Sequence, residues 1–211
     1  ENKLDEGAIS FLQGVVDDSM EKDRQGWLAG AKDPTAITEI FSPYPQEQSN
    51  PDLVQDIITA LDKKIDHLRQ SGHCTIFASL ALKALKHKAD MVTPSITDGI
   101  CQLIDSFNDS PGQGYYGQEQ GWLKGVPVEP DKYLVPYQGS SDLVHAAFGE
   151  MARHDKIKRT GYGNLVHLVT HTNALVELDE MGYNDLALRG HDALRTHIML
   201  LRSLPPDRDS N

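Results

Sequence analysis

Apolar residues recur every three to four positions along most of the chain, and strict alternation is absent over any useful length, so the pattern predicts helices and no sheet. Over 4–19 the stripe is Ala8, Phe11, Leu12 and Val15, weakened by Gly7 and Gly14 and followed by a charge cluster of Asp17, Asp18, Glu21, Lys22 and Asp23. Pro34, Pro43 and Pro45 make 33–49 read as an extended connection. Asn50, Pro51 and Asp52 then provide an N-cap, a proline at the first helical position and an early acid. The helix they start has Val54, Ile57, Ile58, Leu61, Ile65 and Leu68 on its apolar face, with Gly72 as its stop.

The next helix, over 73–88, is apolar on nearly all sides, the mark of an inner position. Thr93 and Pro94 open another, carrying Ile96, Ile100, Leu103, Ile104 and Phe107. The glycine-rich stretch 108–125 holds Tyr115 and Tyr116 and reads as a loop suited to a pocket mouth. Three more helices follow: one from Ser140 or Ser141 with Val144, Ala147, Phe148 and Met151 as its face, one over 164–181, and one over 184–204 closed by Pro205 and Pro206.

Part of this pattern occurs twice. Gln25-Gly26-Trp27-Leu28-Ala29-Gly30 returns as Gln120-Gly121-Trp122-Leu123-Lys124-Gly125, and both tryptophans lie in the two copies. Asp52-Leu53-Val54 then corresponds to Asp142-Leu143-Val144, and Ala81 to Leu85 corresponds to Ala174 to Leu178, in the same order. The expected fold is therefore all-α: a single domain over 1–211 made of two pseudo-repeats of antiparallel helices, about 21–110 and 116–205, arranged as an α/α toroid or short solenoid.

Composition narrows the partners. With 31 acidic and 20 basic side chains the formal charge is -11, which opposes the counterion release that drives nucleic-acid binding, so no nucleic acid is expected. No apolar run approaches 20 residues, so no membrane span is expected either. Cys74 and Cys101 both sit in apolar helical stretches and read as free core thiols, which favours a cytoplasmic location. The chain opens on Glu1 rather than Met, which leaves a removed leader open, and a homodimer is equally left open.

Candidate chemistry centres on imidazoles. His167 and His171 share one side of the helix over 164–181 with Ala174 and Leu178, while Leu165, Val169, Thr172 and Val176 take the other, as if the helix stood between a hydrophobic core and a polar cavity. Their i, i+4 spacing lets two imidazoles reach one metal ion, zinc or iron, and equally suits rings that hydrogen-bond internally or touch a ligand. The zinc-protease motif needs a Glu directly after the first His, and Leu168 stands there. His73, at the matching place in the first inner helix, is expected to face His167 across the interior. Asp142 with His145 makes one Asp-x-x-His, read as a surface feature, and His154-Asp155 lacks the companions of a phosphohydrolase.

Gly72-His73 leading into Leu80-Ala81-Leu82-Lys83-Ala84-Leu85, Leu165-Val166-His167-Leu168 leading to Glu177, and the Trp122 to Tyr133 element resemble segments of questin oxidase-like proteins. The resemblance implies a helical oxidoreductase acting on an aromatic or polyketide-like substrate, with His73, His167 and Glu177 near the pocket. Taken together, the expectation is a small-molecule enzyme, oxidoreductase-like, whose cavity is lined by His73, His167 and His171 acting as acid–base groups or metal ligands. The alternative is a non-enzymatic helical module that binds a peptide or small ligand.

Overall fold

The computed structural model describes residues 4–116, 137–153 and 162–204. Among the described residues there are eight α-helices, joined in places by short 3-10 turns, and no strand. The chain divides into two compact units, 1–46 and 47–211. The division falls inside the stretch 21–110 read as the first pseudo-repeat.

In the first unit, α1 (Glu6–Gly30) starts where the Asp5 carboxylate accepts from the Ala8 backbone N–H at 2.8 Å. It runs well past the expected 4–19, through the charge cluster, because the charges there are paired at helical spacing. Glu21 accepts from Arg24 at 2.6 and 2.7 Å and from Gln25 at 2.8 Å. The expected extended connection also contains a helix, α2 (Pro34–Ile40). Pro34 opens it at a position where a missing N–H leaves nothing unpaired, and Asp33 accepts from the Thr35 N–H at 3.0 Å. Trp27 packs edge-on against Phe41 with ring centroids 5.5 Å apart, so the first tryptophan motif serves packing here. The second copy, 120–125, lies outside the described residues.

In the second unit, Asn50 caps a 3-10 turn by accepting from the Asp52 N–H at 3.1 Å, and α3 (Val54–Asp62) follows. It ends ten residues short of the predicted stop. Two long cations explain why the chain turns away early. Lys64 donates to the Asp105 and Phe107 carbonyls at 2.8 and 2.9 Å, and Arg69 donates to Asp109 at 2.8 Å. Ile65 and Leu68 still reach the core, from irregular backbone.

Helices α4 (His73–His87), α5 (Pro94–Ser106), α6 (Ser140–Arg153), α7 (Tyr162–Glu180) and α8 (Asn184–Arg202) complete the unit. The two inner helices pack on each other, α4 also on α3 and α5, and α7 also on α6 and α8. Buried Ile57, Leu61, Ala78, Leu82, Leu168, Leu175, Leu178, Leu194 and Ile198 form one continuous core. Close approach of α7 and α8 depends on Gly190, where an added Cβ would lie 2.4 Å from Leu175 Cδ2. Ion pairs tie the helices at the rim: Lys83 to Glu177 across α4 and α7, and Arg202 to the nearly buried Glu150 across α8 and α6, the latter at 3.1 Å from Nε.

Candidate functional site

The segment entering α4 has an unusual backbone. Gln70, Ser71 and Gly72 take φ values of 43°, 57° and 88°, three consecutive left-handed residues of which two carry side chains. Cross-chain bonds hold the turn, with Gln70 N–H donating to Ser110 O at 2.7 Å and Ser71 N–H to Pro111 O at 2.8 Å. Gly72, predicted as a helix stop, is instead the residue on which the turn rests against the body. A Cβ there would lie 2.5 Å from His171 Cγ, so only glycine fits.

This turn delivers His73 as the first residue of α4, beside His167 on α7. Their ring centroids are 4.5 Å apart at 61°, and the Tyr115 ring lies 4.9 Å from the first and 5.0 Å from the second. Behind them three rings are nearly parallel: His73 is 19° from Phe77 and 9° from Phe107, and those two are 12° apart. Their centroids are 5.8 to 6.4 Å apart in all three pairs, so the three rings form one near-parallel cluster. Phe77 is 42% and Tyr115 38% exposed, and the two imidazoles are half-buried. The result is an aromatic cluster in which Phe77 and Tyr115 reach solvent, His73 and His167 are half-buried and Phe107 is buried.

His73 Nδ1 faces the Gln70 carbonyl, which can only accept, so Nδ1 donates there and the ring orientation is fixed.

His171 is placed differently from expectation. It is fully buried, and neither ring nitrogen has a hydrogen-bond partner among the described residues. Burial, reinforced by the nearby His73 charge, pushes its imidazole down to about 3, so it is neutral at ordinary pH. The polarity of α7 therefore follows the prediction only in part: Leu165 and Thr172 of the side read as hydrophobic are buried, but so are His171, Ala174 and Leu178 of the side read as facing a cavity. Leu165, Leu168, His171, Leu175 and Leu178 face the core, while Val169, assigned to the hydrophobic side, is 36% exposed.

His171 instead meets His197 on α8, with centroids 5.9 Å apart, and His197 meets Tyr116 at 6.0 Å. His171, His197 and Tyr116 are all fully buried and form an inner ring layer behind the outer one. His197 sits on the apolar stripe of α8 with Leu194, Ile198 and Leu201, and stripe membership concealed it in the sequence.

The expected metal pair, His167 and His171, has ring contacts that run in different directions, to His73 and to His197. No group of three or more His, Cys, Asp or Glu side chains placed to hold a metal ion occurs among the described residues. Two imidazoles alone do not complete a zinc or iron donor set, and the described residues by themselves do not make up such a centre.

Glu177 is paired with Lys83, away from the ring cluster. Asp142 accepts from the Gln138 N–H at 2.9 Å, ordering the start of α6, and His145 lies 3.4 Å from Ser141 Oγ on the exterior. His154 and Asp155 lie outside the described residues. Two concavities are open elsewhere. An apolar groove of about 180 Å³ runs between α6 and α7 along Val144, Phe148, Met151, Val169 and Val176. A polar one of about 190 Å³ lies at the starts of α6 and α8, with Ser140, Asp179, Asn184 and His191 in its wall. Asp179 is held below the usual carboxylate range chiefly by the Ser140 hydroxyl at 2.6 Å and then by the Asn184 amide at 2.6 Å, which makes it a clamp between two helix starts. His73, His167 and His171 line neither.

No helix among the described residues is long and apolar enough to cross a membrane. No family model, no curated protein and no solved structure matches the chain.

Proposed function

We propose that the outer ring cluster is the acid–base site of a small-molecule enzyme, oxidoreductase-like in the sense the sequence resemblance implies, acting on a planar aromatic compound that bears an ionisable hydroxyl. The observation that carries this reading is the meeting of His73 and His167, from separate helices, at 4.5 Å with Tyr115 against both. A planar ligand lying against the exposed Phe77 and Tyr115 rings beside His73 gains offset ring contacts. Its hydroxyl then lies at the edge occupied by His167 and Tyr115. A neutral imidazole there accepts a phenolic proton near pH 7, and the Tyr115 hydroxyl supplies a donor to the resulting oxyanion. The strained turn at 70–72 supports the same reading, because consecutive left-handed non-glycine residues cost energy and concentrate at functional sites.

The test uses 2-naphthol as probe. Protein carrying ¹³C at the histidine Cε1 positions is titrated with it, and saturable perturbation of the His73 and His167 signals, abolished by His73→Ala, is the expected result. Signals that stay fixed up to the solubility of the probe overturn the reading.

A second reading is favoured by the α6–α7 groove, where Phe148 is 62% exposed beside Val144 and Met151. An open apolar groove between two helices suits an amphipathic helix of a partner, as a binding module would require. The two readings part at one comparison: Phe148→Glu removes that binding and leaves the response to 2-naphthol intact.

A further inference from the structure

We infer that His197 is a positioning residue for the outer ring cluster, acting on both of its arms from the interior; this rests on the reading of that cluster as a small-molecule site. His197 lies on α8, which contributes none of the outer rings. Its ring is 5.9 Å from His171 at 34° and 6.0 Å from Tyr116 at 64°. Each of those neighbours is one step from the outer layer. The His171 ring lies directly on Gly72, the residue before His73, in a contact with no room for a Cβ. Tyr116 is the residue after Tyr115, in the same 3-10 turn.

The two arms are tied to each other where Gln70 and Ser71 donate to Ser110 and Pro111, and each also rests on an inner ring. The first is a left-handed turn of three residues, a conformation that persists only where the surroundings over-determine it. The second is a single short turn in a glycine-rich stretch, anchored by the fully buried Tyr116 ring. One imidazole touches the anchors of both. The surrounding stripe of α8 is Leu194, Ile198 and Leu201, and an aliphatic side chain there would fill the core without burying a polar ring. The ring at 197 packs beside both of these rings, and through them it bears on the placement of His73 and Tyr115.

The experiment compares His197→Leu, which keeps bulk and removes the ring, with His197→Phe, which restores a ring without its nitrogens. Histidine Cε1 and tyrosine ring resonances are recorded first without any ligand, and then during titration with 2-naphthol. Leu201→Ala serves as the control for core damage on the same helix. The expected result is that His197→Leu moves the His73 and Tyr115 resonances and weakens 2-naphthol binding about tenfold, as for contacting residues that couple. His197→Phe returns both towards wild type, and Leu201→Ala lowers the melting temperature with the outer resonances in place. Outer resonances that stay unmoved in His197→Leu, or move as much in Leu201→Ala, overturn the inference. If His197→Leu does not fold, His197→Met takes its place under the same criteria. Failure of the wild-type protein to bind 2-naphthol removes the acid–base reading alone, since the ligand-free spectra still decide the role of His197.

Discussion

The outer and inner ring layers at the junction of α4 and α7 are built from the same residue types under opposite conditions. Outside, His73 and His167 are half-buried, His73 has a carbonyl partner for one nitrogen, and Tyr115 is open to solvent. Inside, His171 and His197 are fully buried, and His171 is held neutral with both nitrogens unpaired. Imidazole chemistry depends on this difference in setting. Outside, a ring keeps contact with water and a defined hydrogen-bond partner, whereas removal from water makes the same ring a flat, uncharged packing element.

The contrast predicts its largest effect in acid. An unfolded His171 titrates at its ordinary 6.5 and the folded one at about 3, so between these values the unfolded state binds the extra proton. Stability from this group is complete above pH 6.5 and is lost progressively as pH falls towards 3. The full span is on the order of 5 kcal/mol. Urea melts from pH 7.5 to 4 read this slope, and His171→Phe flattens it; an unchanged slope in that variant would mean the acid sensitivity lies elsewhere.

Next in size is Gly72→Ala, which places a Cβ against the His171 ring and at φ 88°. About 3 kcal/mol of stability should be lost by denaturant melting, from overpacking and left-handed strain together. Gly190→Ala probes the core away from both layers: its Cβ meets the end of a Leu175 side chain, which can turn aside. The expected cost is smaller, about 2 kcal/mol, and the outer ring resonances should not move. Smallest is His73→Gln. Removal of a half-buried ring at the layer edge should change stability by less than about 1 kcal/mol while eliminating the response to 2-naphthol. A loss as large as that of Gly72→Ala would mean the outer ring is structural like the inner one.

Much of the helical layout was legible from periodicity and caps. Asn50-Pro51-Asp52 and Thr93-Pro94 start elements as predicted, and the all-round apolar run over 73–88 is the inner helix α4. The misses have local causes. Helix α1 continued because Glu21, Arg24 and Gln25 pair along it, and α3 stopped because Lys64 and Arg69 reach carbonyl and carboxylate oxygens about 40 residues away in sequence. For the site, the facing of His73 and His167 followed from their matching places in two inner helices. The role of His171 did not, since a wheel arranges side chains around an axis without saying which side the rest of the chain will cover.

Helix type, start signals and the pairing of the two inner helices are thus local or repeated properties, carried by residues close together along the chain, where spacing and capping act before any tertiary contact forms. Which imidazole stays wet was settled by long-range packing. The left-handed turn at 70–72, held to 110–111, and the arrival of α8 behind α7 enclose His171 and leave His73 at the edge. Burial is a sum over neighbours supplied by distant segments, and the proton affinity of a histidine follows from that sum rather than from its place in the sequence.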